Sequence, residues 1–246
     1  KDEVEQSLKE KLHIITGGPG TGKSTITKVV LDICLKYSKS VVLAAPTGRA
    51  AKRMTEITLK EASTIHALLV YDFVSGYFRK NKKDPLTCEV LIIDEASMID
   101  AFLMAALLAA VPDNCKLILV GDTDQLHSVG AGDVLKDLIR SKQVPVTRLT
   151  EIFRQAINSQ IIINAHKINQ GIFPTIQVEK ESDFFFINEG QHTRLIQHII
   201  GLIDKRLTKA YKFHKFKDIQ LLCPMNKGPI GCIEFNKIIQ QKLNPH

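Results

Sequence analysis

The sequence predicts an α/β fold in which helices cover both faces of a parallel sheet. Short apolar runs rich in Val, Ile and Leu alternate with longer segments of helical period, and this alternation is typical of βαβ units. The 246 residues are 24% charged and 44% hydrophobic, with a mean hydropathy of zero. This composition favours a soluble globular protein over a disordered or membrane protein.

Five strands and four helices are predicted before residue 150. The strands are Leu12 to Thr16, Val41 to Ala45, Val90 to Asp94, Leu117 to Gly121 and Val146 to Thr150. The helices follow the first four strands, at Gly22 to Tyr37, Gly48 to Leu59, Asp100 to Ala110 and Ala131 to Arg140. Right-handed crossovers between such strands give a doubly wound sheet, so we predict a first domain over residues 1–150.

The regular alternation of strands and helices changes after residue 150, where we predict a linker helix and then a second, truncated α/β domain over residues 151–246. Its predicted elements, in order, are a helix at Gln155 to Gln170, a strand at Asp183 to Ile187, a helix at Thr193 to Leu207, a strand at Asp218 to Cys223 and a helix at Ile230 to Leu243. The net charge of +7 is concentrated in this second region, which permits a polyanionic partner without requiring one.

Cysteine usage and hydropathy exclude several classes. The five cysteines form no CxxC pair and are odd in number, which argues against a zinc cluster or a complete disulfide framework and favours a cytoplasmic protein with reduced thiols. The longest apolar stretch, Ala101 to Val111, is shorter than the ~20 residues of a membrane span, so we expect no membrane partner. The chain begins with Lys rather than Met, and we expect a fragment cut at both ends.

A phosphate-binding loop follows the first predicted strand. Gly17 to Ser24 fits G-x-x-x-x-G-K-[ST] at every fixed position and opens a helix, which is the context that this P-loop motif requires. Backbone N–H groups of such a loop surround phosphate oxygens, with Lys23 on the β- and γ-phosphates and the Ser24 hydroxyl on Mg²⁺. The predicted nucleotide-binding residues are Gly18, Pro19, Gly20, Thr21, Gly22, Lys23, Ser24, Thr25 and Asp94.

Two further strands end in polar residues at the edge where open α/β sheets bind ligands. Asp94 and Glu95 follow the strand Leu91 to Ile93; we expect Asp94 to hold Mg²⁺ and Glu95 to act as a general base on the attacking water. Alternation along a strand would point these two side chains apart. Gln125, after the strand ending at Gly121, is a candidate to contact the γ-phosphate. Together with the P-loop, these residues predict a site for hydrolysis of a nucleoside triphosphate.

Two segments leave alternatives open. Aromatic residues alternate around Ser75-Gly76, followed by basic residues, which predicts a β-hairpin insertion at about 70–86. It could stack on bases or simply cover a sheet edge. Six basic residues lie between Lys205 and Lys217 with interleaved aromatics, and we interpret them as a solvated loop rather than a DNA contact.

Taken together, the motifs resemble the RecD-like helicases of superfamily one, a group that includes the exodeoxyribonuclease V alpha subunit. The matching strings are Ile15 to Lys23 (motif I), Ala45 to Ala51 (motif Ia), Ser63 to His66 (a short DNA-contacting motif), Asp94 to Met98 (motif II), Gly121 to Leu126 (motif III), Glu151 to Gln155 (motif IV), Cys223 to Gly228, Asn236 and Leu243 to Pro245. The resemblance implies two RecA-like motor domains, the second of them partial, in a P-loop NTPase.

The resemblance also implies functional roles. ATP hydrolysis with Mg²⁺ would drive 5′ to 3′ movement on single-stranded DNA in recombination and double-strand break repair. Arg154 would be an arginine finger, and the hairpin would be the pin that splits a duplex fork. The implied DNA-binding residues are Pro46, Thr47, Arg49, Thr64, His66, Asn226 and Lys227. Nuclease and scaffold subunits of exodeoxyribonuclease V are implied partners.

Two departures from the family pattern leave other functions open. The later helicase motifs do not occur after Asn244, and the adenine-reading glutamine expected upstream of Asp2 is missing. The fragment itself is therefore expected to bind nucleotide poorly. The alternatives are a DNA-binding or scaffolding subunit whose ATP site serves assembly, and an RNA-directed helicase of the same superfamily.

Overall fold

The structure is a computed structural model that describes residues 10–38, 40–150, 159–176 and 182–244. The chain forms two compact units, Lys1–Phe184 and Phe185–His246. The described part of the predicted linker helix lies within the first unit as Gln160–Asn169, and its predicted residues 155–158 lie outside the described residues. A division into motor domains at residue 150 stays a prediction.

The first unit is built on a six-stranded sheet whose neighbouring strands all run parallel. Its strands are β1 (Leu12–Gly17), β2 (Val41–Ala45), β3 (Ala62–Thr64), β6 (Val90–Ile93), β7 (Lys116–Gly121) and β8 (Val146–Leu149), in the spatial order β3-β2-β6-β7-β1-β8. The predicted α/β class and the five predicted strands are confirmed. The additional strand β3 pairs with β2 at the sheet edge, and its three residues are too few to show a period-two pattern.

Helices lie between the strands and after the last of them. They are α1 (Lys23–Tyr37), α2 (Gly48–Thr58), α3 (Ile65–Leu68), α4 (Ala101–Ala110), α5 (Val134–Ser141) and α6 (Gln160–Asn169). Side-chain hydroxyl and carboxylate groups cap the N-termini of several of these helices. The Asp100 carboxylate, for example, accepts the Leu103 N–H at 2.7 Å at the start of α4. Such N-caps contribute about 0.5–2 kcal/mol each.

Alternation along the central strands separates the core into two clusters. In β6, Leu91 and Ile93 pack in one cluster, whereas Val90 and Ile92 pack in the other. Because alternate side chains of a strand point to opposite faces, the two clusters lie on opposite faces of the sheet. A strand buried on both faces is continuously apolar, which explains why the sequence pattern identified β6.

The segment after α3 forms a small antiparallel hairpin of β4 (Tyr71–Asp72) and β5 (Tyr77–Phe78). Gly76 has a φ of +73° in the turn, where a left-handed conformation favours glycine. The Asp72 carboxylate accepts the Val74 N–H at 2.9 Å. Backbone hydrogen bonds from this turn, that of Val74 first, lower the pKa of Asp72.

The second unit is helical where the sequence predicted alternating strands and helices. Its helices are α7 (His192–Gly201), a π-helical segment (Leu202–Arg206), α8 (Leu207–Ala210) and α9 (Cys232–Leu243). The predicted strands at Asp183 to Ile187 and Asp218 to Cys223 are wrong, because residues 182–187 and 218–223 form no ladder. A strand is stable only beside a hydrogen-bonded neighbour, and residues 182–244 provide none.

The basic run of the second unit is only partly a loop. Helix α8 extends to Ala210, so the first basic residues are helical and the loop begins at Tyr211. Lys215 forms an ion pair with Asp204, and this contact lowers the pKa of the Asp204 carboxyl. Within the described residues, no helix is both long and apolar enough to cross a bilayer.

Candidate nucleotide-binding site

The P-loop leaves β1 at Gly17 and turns into α1 at Lys23. Gly20 and Gly22 have φ values of +77° and +81°, a region that side chains with a Cβ rarely adopt. A Cβ on Gly17 would lie 2.8 Å from the Leu149 carbonyl oxygen. The Thr21 hydroxyl donates to the Gly18 carbonyl at 2.8 Å. Glycine is thus required at positions 20 and 22 by the backbone conformation, and at position 17 by the close approach of β8.

The loop borders a cavity of about 440 Å³, which falls within the usual size of small-molecule sites. The residues that line it are Gly18, Pro19, Gly20, Thr21, Gly22, Lys23, Ser24, Thr25, Ala50, Arg53, Asp94, Glu95 and Gln125. Every residue predicted to bind nucleotide lies on this cavity, and so do the candidate base and the candidate γ-phosphate contact. Their functional roles remain predictions.

Asp94 and Glu95 both line the cavity, although strand alternation would have pointed them apart. Glu95 lies just beyond β6 and has a φ of +52°, so the alternation of the strand stops before this residue. Its N–H donates to the Asp94 carboxylate at 2.9 Å. A left-handed backbone at a residue other than glycine costs of order 1–3 kcal/mol and is concentrated at functional sites.

Burial makes both carboxyls difficult to ionise. Burial raises the pKa of Asp94. Burial also raises the pKa of Glu95, with the neighbouring Asp94 charge as the second cause. Oε2 of Glu95 is buried and has no hydrogen-bond partner among the described residues. A raised pKa and a free acceptor atom suit a general base.

The chemistry of this donor set fits Mg²⁺. The ion prefers oxygen ligands and is usually held by one or two protein groups together with substrate phosphates and water. Ser24 and Asp94 supply a hydroxyl and a carboxylate on the same cavity. A cation here would also offset the buried charge of Asp94, whose ionisation the protein alone disfavours.

Lys23 is held by protein oxygens. Its ammonium donates to the carbonyls of Gly17 at 2.7 Å and Gly18 at 3.0 Å, and to the Asp122 carboxylate at 3.3 Å. Gln125 Nε2 donates to the same Asp122 oxygen, at 3.4 Å. The P-loop and the loop after β7 therefore meet at Asp122.

Asp122, Arg53 and His166 lie on or near the cavity but were not among the predicted site residues, and neither was Ala50. Asp122 contacts Lys23, and Arg53 lines the cavity from α2. His166 on α6 packs near the loop, because a Cβ on Gly18 would lie 3.4 Å from its Cε1. The three-residue spacing of Ala50 and Arg53, which both line the cavity, could have identified Arg53 as sharing a helix face.

The predicted DNA-contacting residues of the first unit follow two adjacent strands. Ala45 at the end of β2 is paired with Thr64 at the end of β3, so Pro46, Thr47, Arg49 and His66 all follow the same sheet edge. The hydroxyls of Thr47 and Thr64 accept backbone N–H groups and cap α2 and α3. The structure thus gives the two threonines a local structural role, and their DNA contact stays a prediction.

The remaining predicted residues lie elsewhere. Asn226 and Lys227 are exposed in the turn that precedes α9, and the Asn226 carbonyl accepts the Ile233 N–H at 3.1 Å. They belong to the second unit. Arg154, the predicted arginine finger, lies outside the described residues.

Comparison with known proteins shows which family the chain belongs to. The sequence model of the family described as "AAA domain" matches residues 1–131, which include the P-loop, the acid pair Asp94 and Glu95, and Gln125. The ATP-dependent RecD2 DNA helicase of Deinococcus radiodurans is 38% identical over 242 residues, which cover 98% of this chain and 32% of that protein. The RecBCD enzyme subunit RecD of Mycobacterium tuberculosis is 30% identical and is matched over 98% of this chain and 48% of its own length.

A solved structure supports the fold. The Pif1 helicase from Candida albicans superimposes with a TM-score of 0.55 at 20% identity, over 80% of this chain and 52% of that one. This likeness confirms a RecA-like P-loop NTPase fold. The chain spans about a third to a half of the length of the curated relatives named above. By its family match and its relatives, the chain belongs to the AAA domain family and is RecD-like in sequence.

Proposed function

We propose that this chain is the ATP-hydrolysing part of a cytoplasmic DNA helicase that moves 5′ to 3′ along single-stranded DNA. The observation that carries the proposal is the single cavity on which Lys23, Ser24, Asp94, Glu95 and Gln125 converge. Its relatives named as DNA helicases support the activity. Recombination and double-strand break repair are the processes we infer for it.

Each residue of the cavity has a different role in the proposed hydrolysis. Lys23 and the P-loop N–H groups bind the phosphates, and Glu95 accepts a proton from the attacking water. Gln125 contacts the γ-phosphate. Ser24 and Asp94 would hold Mg²⁺, which would supply positive charge beside the phosphates. Arg154, which belongs to the motif IV segment, is proposed to stabilise the negative charge that develops on the γ-phosphate.

DNA binding is proposed for the sheet edge that follows β2 and β3. Pro46, Thr47, Arg49, Thr64 and His66 lie there, and Asn226 and Lys227 are the candidates in the second unit. The hairpin of β4 and β5 is proposed to meet the duplex fork. Phe73 and Tyr77 are 88% and 74% exposed, so both rings are available for stacking on bases.

A test of ATP hydrolysis in the full-length protein addresses the first half of the proposal. Single-stranded DNA should stimulate the ATPase, and Lys23→Ala should abolish it. Lys36→Ala, on the last turn of the same helix, is the matched control and should retain activity. Full activity of the Lys23→Ala protein would exclude this site as the ATPase centre.

Unwinding of tailed DNA duplexes tests the second half of the proposal, the 5′ to 3′ direction of movement. A 5′-tailed duplex should be unwound and a 3′-tailed one should not. DNA binding with no unwinding of either would favour a scaffolding subunit, whose partners we expect among nuclease subunits because relatives are named as RecBCD subunits. Stronger stimulation by RNA than by DNA would instead favour an RNA-directed helicase.

A further inference from the structure

The Lys23 ammonium has no donor to spare for a phosphate. A lysine ammonium carries three N–H donors, and three protein oxygens accept from Lys23: the carbonyls of Gly17 and Gly18, and Oδ2 of Asp122. The side chain is only 15% exposed. Phosphate binding by Lys23 therefore requires at least one of these contacts to be given up.

Asp122 is the charged member of that set, and it also holds the second phosphate-contacting group. Its side chain is 1% exposed. Oδ2 accepts from both Lys23, at 3.3 Å, and Gln125, at 3.4 Å, while Oδ1 accepts the Asp124 N–H at 3.0 Å. One buried carboxylate oxygen thus occupies the two side chains that the proposed reaction assigns to the γ-phosphate.

We propose that Asp122 is a positioning residue that competes with phosphate for Lys23 and Gln125, so that nucleotide must displace it from both side chains when it binds. This inference rests on the proposed ATPase function. Asp122 lowers nucleotide affinity, because binding must first separate Lys23 from it. It speeds product release for the same reason, since Lys23 has an anionic partner to return to.

The surroundings of Asp122 make such an exchange feasible. Removing the only partner of a buried charge is strongly unfavourable. Asp122 would keep the Asp124 N–H on Oδ1 after Lys23 and Gln125 turn to phosphate, so its charge would not be left without a hydrogen bond. While Asp122 holds Lys23, this lysine cannot bind phosphate. When only a fraction of the protein is competent to bind nucleotide, the apparent affinity for nucleotide is reduced by that fraction.

The test compares Asp122→Asn with the wild-type full-length protein, using a fluorescent ADP analogue with Mg²⁺. Asparagine keeps the shape and removes the charge. The variant should bind ADP about three- to tenfold more tightly, with most of the change in a slower dissociation rate measured by chase. Asp124→Asn is the matched control, because it removes the same charge from an exposed neighbour and reports the general effect of loop charge.

The direction of the change in ADP affinity decides whether the proposal holds. Weaker ADP binding by Asp122→Asn would mean that Asp122 supports the bound state, and an effect no larger than that of Asp124→Asn would mean that only net charge matters; each overturns the proposal. Tighter binding that also appears in Asp122→Ala supports it. Failure of both variants to fold would overturn it too, since Asp122 would then serve the fold.

The failure of this inference can be distinguished from the failure of the proposed function. If the wild-type protein binds ADP and Lys23→Ala does not, the site stands whatever Asp122 does. If the wild-type protein binds no nucleotide, both proposals fall. In nucleotide-free protein, a double-mutant cycle of Lys23→Ala and Asp122→Asn should give non-additive shifts of the unfolding midpoint, whereas additive shifts would show that the two side chains do not interact.

Discussion

The imidazole of His66 meets the ring of Tyr71 edge to face, with ring centroids 5.4 Å apart and an interplanar angle of 84°. His66 belongs to the predicted DNA-contacting motif, and Tyr71 begins the hairpin. Phe78, on the opposite strand, joins the same group at 5.6 Å from His66 and 4.9 Å from Tyr71. The base of the hairpin is therefore tied to the predicted DNA-contacting segment by aromatic packing.

Removing an exposed ring of the hairpin should uncouple unwinding from ATP hydrolysis. In the full-length protein, we expect Phe73→Ala or Tyr77→Ala to slow duplex unwinding at least about fivefold, because each base–aromatic stack contributes about 1–3 kcal/mol. ATPase activity on single-stranded DNA should be unchanged. Strand-separation and ATPase assays on the same preparation measure both.

Tyr37→Ala is the control for this prediction, since Tyr37 is an 81% exposed aromatic at the end of α1, away from the hairpin. It should leave unwinding intact. Normal unwinding by the Phe73 and Tyr77 variants would instead indicate that the hairpin only covers its own domain. Phe78→Ala should act differently, by lowering thermal stability through loss of the ring cluster.

Glu95→Gln should separate nucleotide binding from turnover. The amide keeps the size of the side chain and cannot accept the proton, and general-base catalysis contributes about 10²- to 10⁴-fold. The kcat of the full-length protein should fall by this order while ATP still binds, as measured by a fluorescent analogue. Turnover near the wild-type rate would remove Glu95 from the role of base.

Asp94→Asn should stabilise the protein in the absence of Mg²⁺ and nucleotide. Burial raises the pKa of Asp94 in the folded state, so its ionisation at neutral pH works against folding. The variant should gain about 0.5–2 kcal/mol in the free energy of unfolding at pH 7 to 8. Below the unfolded-state pKa the carboxyl is protonated in both states, and the gain should vanish.

Thermal or urea unfolding as a function of pH checks this sign. The stability that the neutral carboxyl contributes is present at low pH and is lost as the pH rises through the raised folded-state pKa. Asp113→Asn, at an exposed loop position, should change stability by less than about 0.5 kcal/mol at every pH. A difference between Asp94→Asn and wild type that grows toward acid pH would contradict the prediction.

Gly121→Ala should destabilise the end of β7. A Cβ at this position would lie 2.6 Å from Cδ2 of Leu135 and 3.1 Å from the Ser97 nitrogen, and such overpacking costs about 1–3 kcal/mol. Chemical denaturation measures the loss. Adding Leu135→Val, which removes the nearest atom, should restore part of the stability, whereas Gly48→Ala, with open space around its Cβ, should cost nothing.

Local chemistry made much of the first unit predictable. The glycines and Lys23 of the P-loop, the apolar run of β6 and the cap at Asp100 each act within a few residues of the chain, where turn geometry, alternation and capping follow from residue type. For this reason five strands of the parallel sheet were identified from the sequence, and so were the cavity residues of the P-loop, Asp94, Glu95 and Gln125. The prediction was wrong in the second unit, where apolar runs at 183–187 and 218–223 found no neighbouring strand.

The sequence alone determined a P-loop α/β protein with an acid pair at the end of a buried strand. Only the tertiary structure decided that Glu95 turns toward the same cavity as Asp94, that Arg53 reaches it from α2, and that Lys23 is held by Asp122, 99 positions further along the chain. The reason is physical. Parallel strands bring together residues that are far apart in sequence, and no local pattern records which side chains then meet at the sheet edge.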